Sequence, residues 1–447
     1  MRVLISALLL CLAGSTYAQN IVPAEVVPSA GSSLFTSVLP TYRSQTDAST
    51  LTEIVKRAFE SHGDILVARL EVDRARARLK QAELRPNPSL EFEQSTGTLV
   101  GSPGDRETSI GVSVPLELYG QRARRIEVAR SEVTLKEAEL AAKRREITGQ
   151  ILEAYAEALS SLREIQVAEE LLSLDEKTVR FVQIRVNEGE TPPLELSLLQ
   201  TEVDRLRARR QLNEGRVQAA FAKLKLFAGI PQDQDLRLRE ELATATLPLL
   251  PTTLDVSVTT GLQNRPEIRL AALEEALATA GLRLVRAQAR PDLAATATYT
   301  RGRAGFDDPR GEFFQSDRTL TFGLSIGIPV FNRNQGAKAE AKIAIRQAQE
   351  RRTFAERVIR NEITAAYRRF EAARRAALTL ETTVLPQSRA NIETMRKVYE
   401  LGEIKITDLI AEQRKVIEAN RDYTETVTER YRAQGDLFLA IGLTLEN

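Results

Sequence analysis

The second half of this 447-residue chain repeats the first, and that repetition limits the fold more than any other feature. AFESHGDILVARLEVDRARARLKQAELRPNPSL, from Ala58, matches GLQNRPEIRLAALEEALATAGLRLVRAQARPDL, from Gly261, with Pro88 on Pro291 at an offset of 203. Ile65 then falls on Ile268 and Ala68 on Ala271. Beyond a length change, Pro115 pairs with Pro329 and Gln121 with Gln335 at 214, and Ile151 and Tyr155 pair with Ile363 and Tyr367 at 212. Gly189 with Gly402, Gln200 with Gln413, and Gly229 with Gly442 sit at 213. The repeats are expected at 49–230 and 254–443. A linker is expected at 231–253, where no helical stripe runs, and an extended leader at 19–48, rich in Pro, Ser and Thr.

Each repeat reads as a helix, a hairpin, a very long helix, a tight break and a returning long helix. In the hairpins (88–116 and 291–330) the apolar period falls to two. Leu90 and Phe92 alternate with serine and glutamate; Ile110, Val112, Val114 and Leu116 with serine and glycine. Leu293, Ala295, Ala297 and Tyr299 alternate mainly with threonine, and Leu320, Phe322, Leu324, Ile326 and Ile328 with threonine, glycine and serine. Such runs approach the roughly 9–11 residues that a tilted strand needs to cross a bilayer, and one face suits lipid while the other suits water. Residues 302–318 read as a long loop facing outside the cell. An open sheet in hydrocarbon leaves its edge N–H and C=O groups unpaired, and the smallest ordinary barrel has about eight strands. Four strands per chain therefore demand sister copies.

The stretch 121–187 contains no proline, and its apolar residues recur in sevens: Ile126, Val133, Leu140 and Ile147. A step of four leads to Ile151, and sevens resume at Ala158, Ile165, Leu172, Val179 and Val186. Sevens supercoil to the left and a four-residue stutter locally unwinds the supercoil, which suits a nearly straight wall of helices. In the second copy, 336–400 keeps part of this frame at Ile363, Phe370, Ala377, Val384 and Val398, with a kink expected at Pro386. Helices end at Gly189 and Gly402, and returning helices are expected at 194–228 and 407–440.

Arg2, the apolar run Val3–Ala13 and Thr16-Tyr17-Ala18 read as an export signal over 1–18. Cys11 lies inside it, and cleavage after Ala18 is expected rather than lipidation. The mature chain then has no cysteine, one histidine (His62) and one methionine (Met395), so no soft-metal site can be assembled within one chain. His62 reads as a helix-terminus residue. No catalytic, cofactor-binding or metal-binding residues are assigned, no cofactor is expected, and the chain does not read as an enzyme. With a formal net charge of +1 and interleaved charges, nucleic acid is an unsuitable partner.

RPNPSLEFE, VSVPLELYGQR, SIGIPVFNRNQGAKAEA and YELGEIKITDLIAEQ are similar to segments of the TolC-like outer-membrane efflux family, in the branch resembling cation-efflux components. The resemblance covers nearly all of the mature length. It implies a mainly α fold with a small membrane β part: a homotrimer of coiled-coil helices forming an α-barrel beneath a shared twelve-stranded transmembrane β-barrel. It implies outer-membrane lipid around the barrel, and a periplasmic adaptor and an inner-membrane pump as partners. The implied function is a passive exit duct from periplasm to outside, with heavy-metal cations as candidate cargo. Carried over by position, Tyr399 and Asp408 fall at the periplasmic aperture, with Glu195 the acidic counterpart in the first copy. Gly189, Glu190, Gly402 and Glu403 fall at the tips that meet the adaptor. Ile404 stands where better-known members carry a basic gate residue. Rings of carboxylate would favour cations. A duct for type I protein secretion and a periplasmic coiled-coil scaffold are the competing readings.

Overall fold

The computed structural model describes residues 37–97, 105–245, 247–248, 250–308 and 311–445. The expected signal segment, Cys11 and the first part of the leader lie outside them. The described residues form, in order, α1 (Leu39–Tyr42), α2 (Leu51–Ser61), α3 (Gly63–Glu83), β1 (Ser89–Thr96), β2 (Arg106–Leu116), α4 (Gln121–Asn187) and α5 (Pro193–Ala228). Then come α6 (Leu254–Asn264), α7 (Pro266–Gln288), β3 (Asp292–Asp308), β4 (Gly311–Gly327), α8 (Gln335–Thr379), a π turn (Leu380–Val384), α9 (Leu385–Glu400) and α10 (Ile406–Ala440).

Local chemistry sets the helix ends. Thr50 and Glu53 form a capping box on α2: Thr50 Oγ1 accepts from the Glu53 N–H at 3.3 Å and Glu53 Oε2 from the Thr50 N–H at 2.9 Å. His62 Nδ1 accepts from the Asp64 N–H at 3.2 Å and caps α3. Proline opens α5 at Pro193 and α7 at Pro266, where its missing N–H costs nothing. At about 1.5 Å per residue, the 67 residues of α4 span roughly 100 Å. Its heptad positions Ile147, Ile151, Ala158, Ile165 and Leu172 are fully buried. The first four pack with α2, α5 and α10 into the main core, which also takes in Tyr155, Phe221, Tyr431 and Phe438.

The four strands form one antiparallel sheet in the order β1-β2-β3-β4. Register puts Leu90, Val112, Ala297 and Phe322 in one row, and Phe92, Ile110, Tyr299 and Leu320 in the next row on the same face. The intervening row, Glu91, Gly111, Thr298 and Thr321, faces the other way.

Three expectations are corrected. The loop expected at 302–318 is mostly strand, because β3 and β4 stay paired through Asp308 and Gly311. Gly302, Arg303, Ala304 and Gly305 break the side-chain alternation but not the backbone ladder, which needs only amide partners. The stretch 231–253 is no free linker. Leu236, Leu238, Leu242 and Leu247 are buried in the main core, and Tyr155 hydroxyl donates to Glu240. The end of the expected leader is also anchored: Tyr42 packs on Phe221 with ring centroids 4.8 Å apart, and the Ser49 N–H donates to Arg237 O at 2.8 Å. At the expected Pro386 kink, the helix takes up the proline by means of the π turn just before it.

Candidate functional site

Two helical turns form the first candidate region. After α4, Gly189 takes φ +78°; its N–H donates to Val186 O at 3.1 Å and the Glu190 N–H to Arg185 O at 2.9 Å. After α9, Gly402 takes φ +80°, its N–H donates to Tyr399 O at 2.9 Å and the Glu403 N–H to Val398 O at 3.1 Å. Both are Schellman closures, which need a residue free to adopt the left-handed region. Beneath them Val182, Leu199, Ile392, Ile406 and Leu409 form a small core separate from the main one.

Tyr399 is buried in that core, and its hydroxyl donates to Glu195 Oε2 at 2.9 Å. The bond joins α9 to the first turn of α5. Burial, reinforced by the hydrogen bond to Glu195, pushes the phenol well above its ordinary range, so it stays a donor at any physiological pH. Arg185 lies beside both turns from the other side. Its Nε lies 3.3 Å from Glu190 Oε2, and a methyl group on Gly402 would come within 3.8 Å of its guanidinium. Asp408 is not brought into this pair. It is exposed, and its Oδ2 accepts from the Lys405 N–H at 3.4 Å across the start of its own helix α10.

Sequence reasoning missed a buried polar group that lies 12 residues before the end of α4, about 18 Å along the axis. There Gln413 Nε2 on α10 donates to Asp175 Oδ1 on α4 at 2.8 Å. Both residues are buried, and the Asp175 carboxyl is pushed up to about 6 by burial, against the pull of Arg396 and with a further push from Glu202. The signal was present, since Asp175 sits three residues after Leu172 on the apolar stripe and Gln413 is repeated by Gln200. Nearer the middle, a cleft of about 1110 Å³ opens among α4, α5, α8 and α10, lined by Ser161, Asn213, Asn420, Thr424, Arg216 and Glu425.

The sheet is the second region. Leu90 (72% exposed), Phe92 (65%), Leu320 (60%), Phe322 (76%) and Leu324 (61%) all stand on one face with nothing over them. From Leu320 to Ile326 this band runs about 20 Å along β4 at about 3.4 Å per residue, and Ile328 extends it just past the strand. Phe331 and Tyr119 lie exposed beside its helical end. The opposite face carries Glu91, Glu93, Gly111, Thr296 and Thr298. Among the described residues, no helix is long and apolar enough to cross a membrane.

The sequence model of the outer membrane efflux protein family matches residues 54–229 and 259–443. The chain belongs to the outer membrane efflux protein family. It is similar to the cobalt-zinc-cadmium resistance protein CzcC of Cupriavidus metallidurans, 24% identical over 407 residues that cover 89% of this chain and 91% of that one. It is similar to the cation efflux system protein CusC of Escherichia coli strain K12, 24% identical over 408 residues, 87% and 85% of the two chains. In three dimensions it resembles CusC with a TM-score of 0.73 at 19% identity, over 92% of this chain and 96% of that one. Against the outer membrane protein VceC of Vibrio cholerae the TM-score is 0.68 at 18% identity, over 89% and 97%. This efflux protein is therefore an outer-membrane component, built mostly of helices on the fold of known outer-membrane channels.

Proposed function

We propose that three copies of this efflux protein assemble into an exit duct for cations, closing a twelve-stranded barrel in the outer membrane and a helical tunnel below it. The observation that carries the reading is the sheet: four strands, an uncovered apolar face, and outer edges at β1 and β4 whose amides have no partner strand among the described residues. Lipid cannot satisfy those edges, so a neighbour's strands must. The two family-matched segments support two copies of one unit within the chain. So do Gly229 and Gly442, which close against Ser61 and against Asn264, at the α2–α3 and α6–α7 junctions respectively.

In this reading the polar cleft belongs to the tunnel wall, and the two turns form the periplasmic aperture and the docking tips for an adaptor that links the duct to an inner-membrane pump. Three-fold repetition sets Asp408 and the Glu195–Tyr399 pairs in rings whose negative charge favours cations. The named relatives CzcC and CusC serve metal-resistance and cation-efflux systems, which favours cations as cargo. The protein acts as a passive conduit; choice among metals rests with its partners.

Planar-bilayer recording tests the assignment. The purified protein should migrate as a trimer and conduct with a preference for cations, and the E195A/D408A double variant should lose that preference. Unchanged selectivity in the double variant removes both residues from the constriction, and a non-conducting monomer removes the duct itself.

A further inference from the structure

Beyond the apolar band, away from the helices, the same sheet face changes character abruptly. The row after Tyr299 and Leu320 holds Gln94, Thr108, Arg301 and Arg318, and the next holds Thr96, Arg106, Arg303 and Ser316. Arg301 stands directly opposite Arg318, and Arg106 directly opposite Arg303. Like charges facing each other across strands destabilise a sheet. Here two such pairs lie in adjacent rows, about 7 Å apart at two residues per row. All four side chains are exposed, and among the described residues none of them makes an ion pair.

The carboxylates in the rows between and beside these arginines are sorted to other work. Glu91, Glu93, Glu107 and Asp317 are on the opposite face by register. Asp317 accepts from Gln315 Nε2 at 3.4 Å, and Asp105 accepts from the Gly305 N–H at 2.7 Å. Arg303 lies 4.1 Å over the Phe314 ring, a cation–π contact that holds its guanidinium against the sheet. Four guanidiniums, without an ion pair among the described residues and continuous with an apolar band, form half of a site whose other half is anionic and belongs to the surrounding membrane. Guanidinium matches phosphate oxygens in bidentate geometry.

We infer that Arg106, Arg301, Arg303 and Arg318 bind the headgroup of an outer-leaflet lipid that carries more than one phosphate, whose acyl chains lie along Leu320, Phe322 and Leu324. The inference rests on the duct reading, which puts the end of the sheet remote from the helices at the cell surface. Two arginine pairs match two phosphates better than one, which separates this site from general attraction to anionic lipid.

The test uses the full-length protein extracted in mild detergent, with lipopolysaccharide as the probe and retained lipid counted per trimer by native mass spectrometry. Wild type should retain lipopolysaccharide, and R106Q/R301Q/R303Q/R318Q should retain at least tenfold less. The inner-face variant E91Q/E93Q should retain the wild-type amount. Equal retention by the quadruple variant overturns the proposal. A second arm needs no variant: wild type should lose retention when the probe is enzymatically dephosphorylated, and equal retention of the dephosphorylated probe overturns the proposal whatever the variants do. Equal retention of phosphatidylglycerol overturns the requirement for several phosphates, and displacement by millimolar inorganic phosphate assigns the site to a free anion instead. Trimer migration and conductance, recorded on the same preparations, report on the duct separately from the arginines.

Discussion

Helices α4 and α8 follow the two hairpins in the same order, yet the single chain treats them differently. Of the 67 residues of α4, 22 are buried; of the 45 residues of α8, five are. Ile151 on α4 is fully buried, whereas Ile343, Phe354 and Leu378 on α8 are 64%, 62% and 55% exposed. One helix finds its core within its own chain. The other keeps large apolar side chains uncovered, as the sheet does, and both uncovered surfaces are where the proposed neighbours and lipid would lie. The contiguous apolar face of the sheet, on a folded chain, marks an interface.

Substitutions can break this contrast. Ile151→Ala should cost about 2–5 kcal/mol through the cavity it leaves, seen as a lower melting temperature and reduced yield of folded protein. Ile343→Ala should barely change the fold of one chain but weaken association, read as monomer appearing on native gels. Equal effects on folding from both would end the distinction between the two helices. Phe322→Arg, on the exposed sheet face, should cost about 2–4 kcal/mol of insertion if that face meets lipid. Membrane fractionation would show the loss while circular dichroism kept the helical signal.

Asp175 sharpens the comparison from inside α4. Its folded pKa of about 6 lies above the ordinary 3.8, so the folded state holds the proton more tightly than the unfolded state does. Its contribution is therefore most favourable below about pH 4, declines as pH rises toward 6, and is flat above that. At about 1.36 kcal/mol per pKa unit, the loss is at most about 3 kcal/mol. Asp175→Asn should raise the melting temperature at pH 7.5 and flatten its dependence between pH 4 and 6. An unchanged slope would remove Asp175 as the cause. The smallest effect belongs to Tyr399→Phe, which deletes one hydrogen bond to Glu195 and should cost about 1–2 kcal/mol. In bilayers the variant should open more often, and identical gating would make the bond purely structural.

Much of the fold was legible because its strongest determinants are periodic. Heptads over 121–187 and the alternation at Leu90–Phe92 and Leu320–Ile328 each identify the buried or lipid-suited face from side chains alone. What escaped depends on partners remote in sequence. Residues 302–308 continue a strand because β4 supplies amides, although Gly302 and Gly305 look like turn residues. Leu236, Leu238 and Leu242 lack a helical period because they fill gaps between helices and not a stripe on one. At the tip, Gly189 and Gly402 were readable from their conformational freedom. The donation from Tyr399 to Glu195 joins residues 204 apart and has no local signature.

The π turn at Leu380–Val384 bears on how the two halves came to differ in length. The spacing between matched residues is 212 at Tyr155 and Tyr367 but 213 at Gly189 and Gly402, so the second half is one residue longer between Tyr367 and Gly402. A widened coil that bonds i to i+5 stores one surplus residue without rotating the helix beyond it. One extra residue in a regular α-helix would swing the last turns of the wall by about 100°, and the five-residue π turn takes it up. Tyr399 thereby still meets Glu195. Deleting one residue within Leu380–Val384 should remove the π turn and keep the tip in phase, leaving the bend to Pro386 alone.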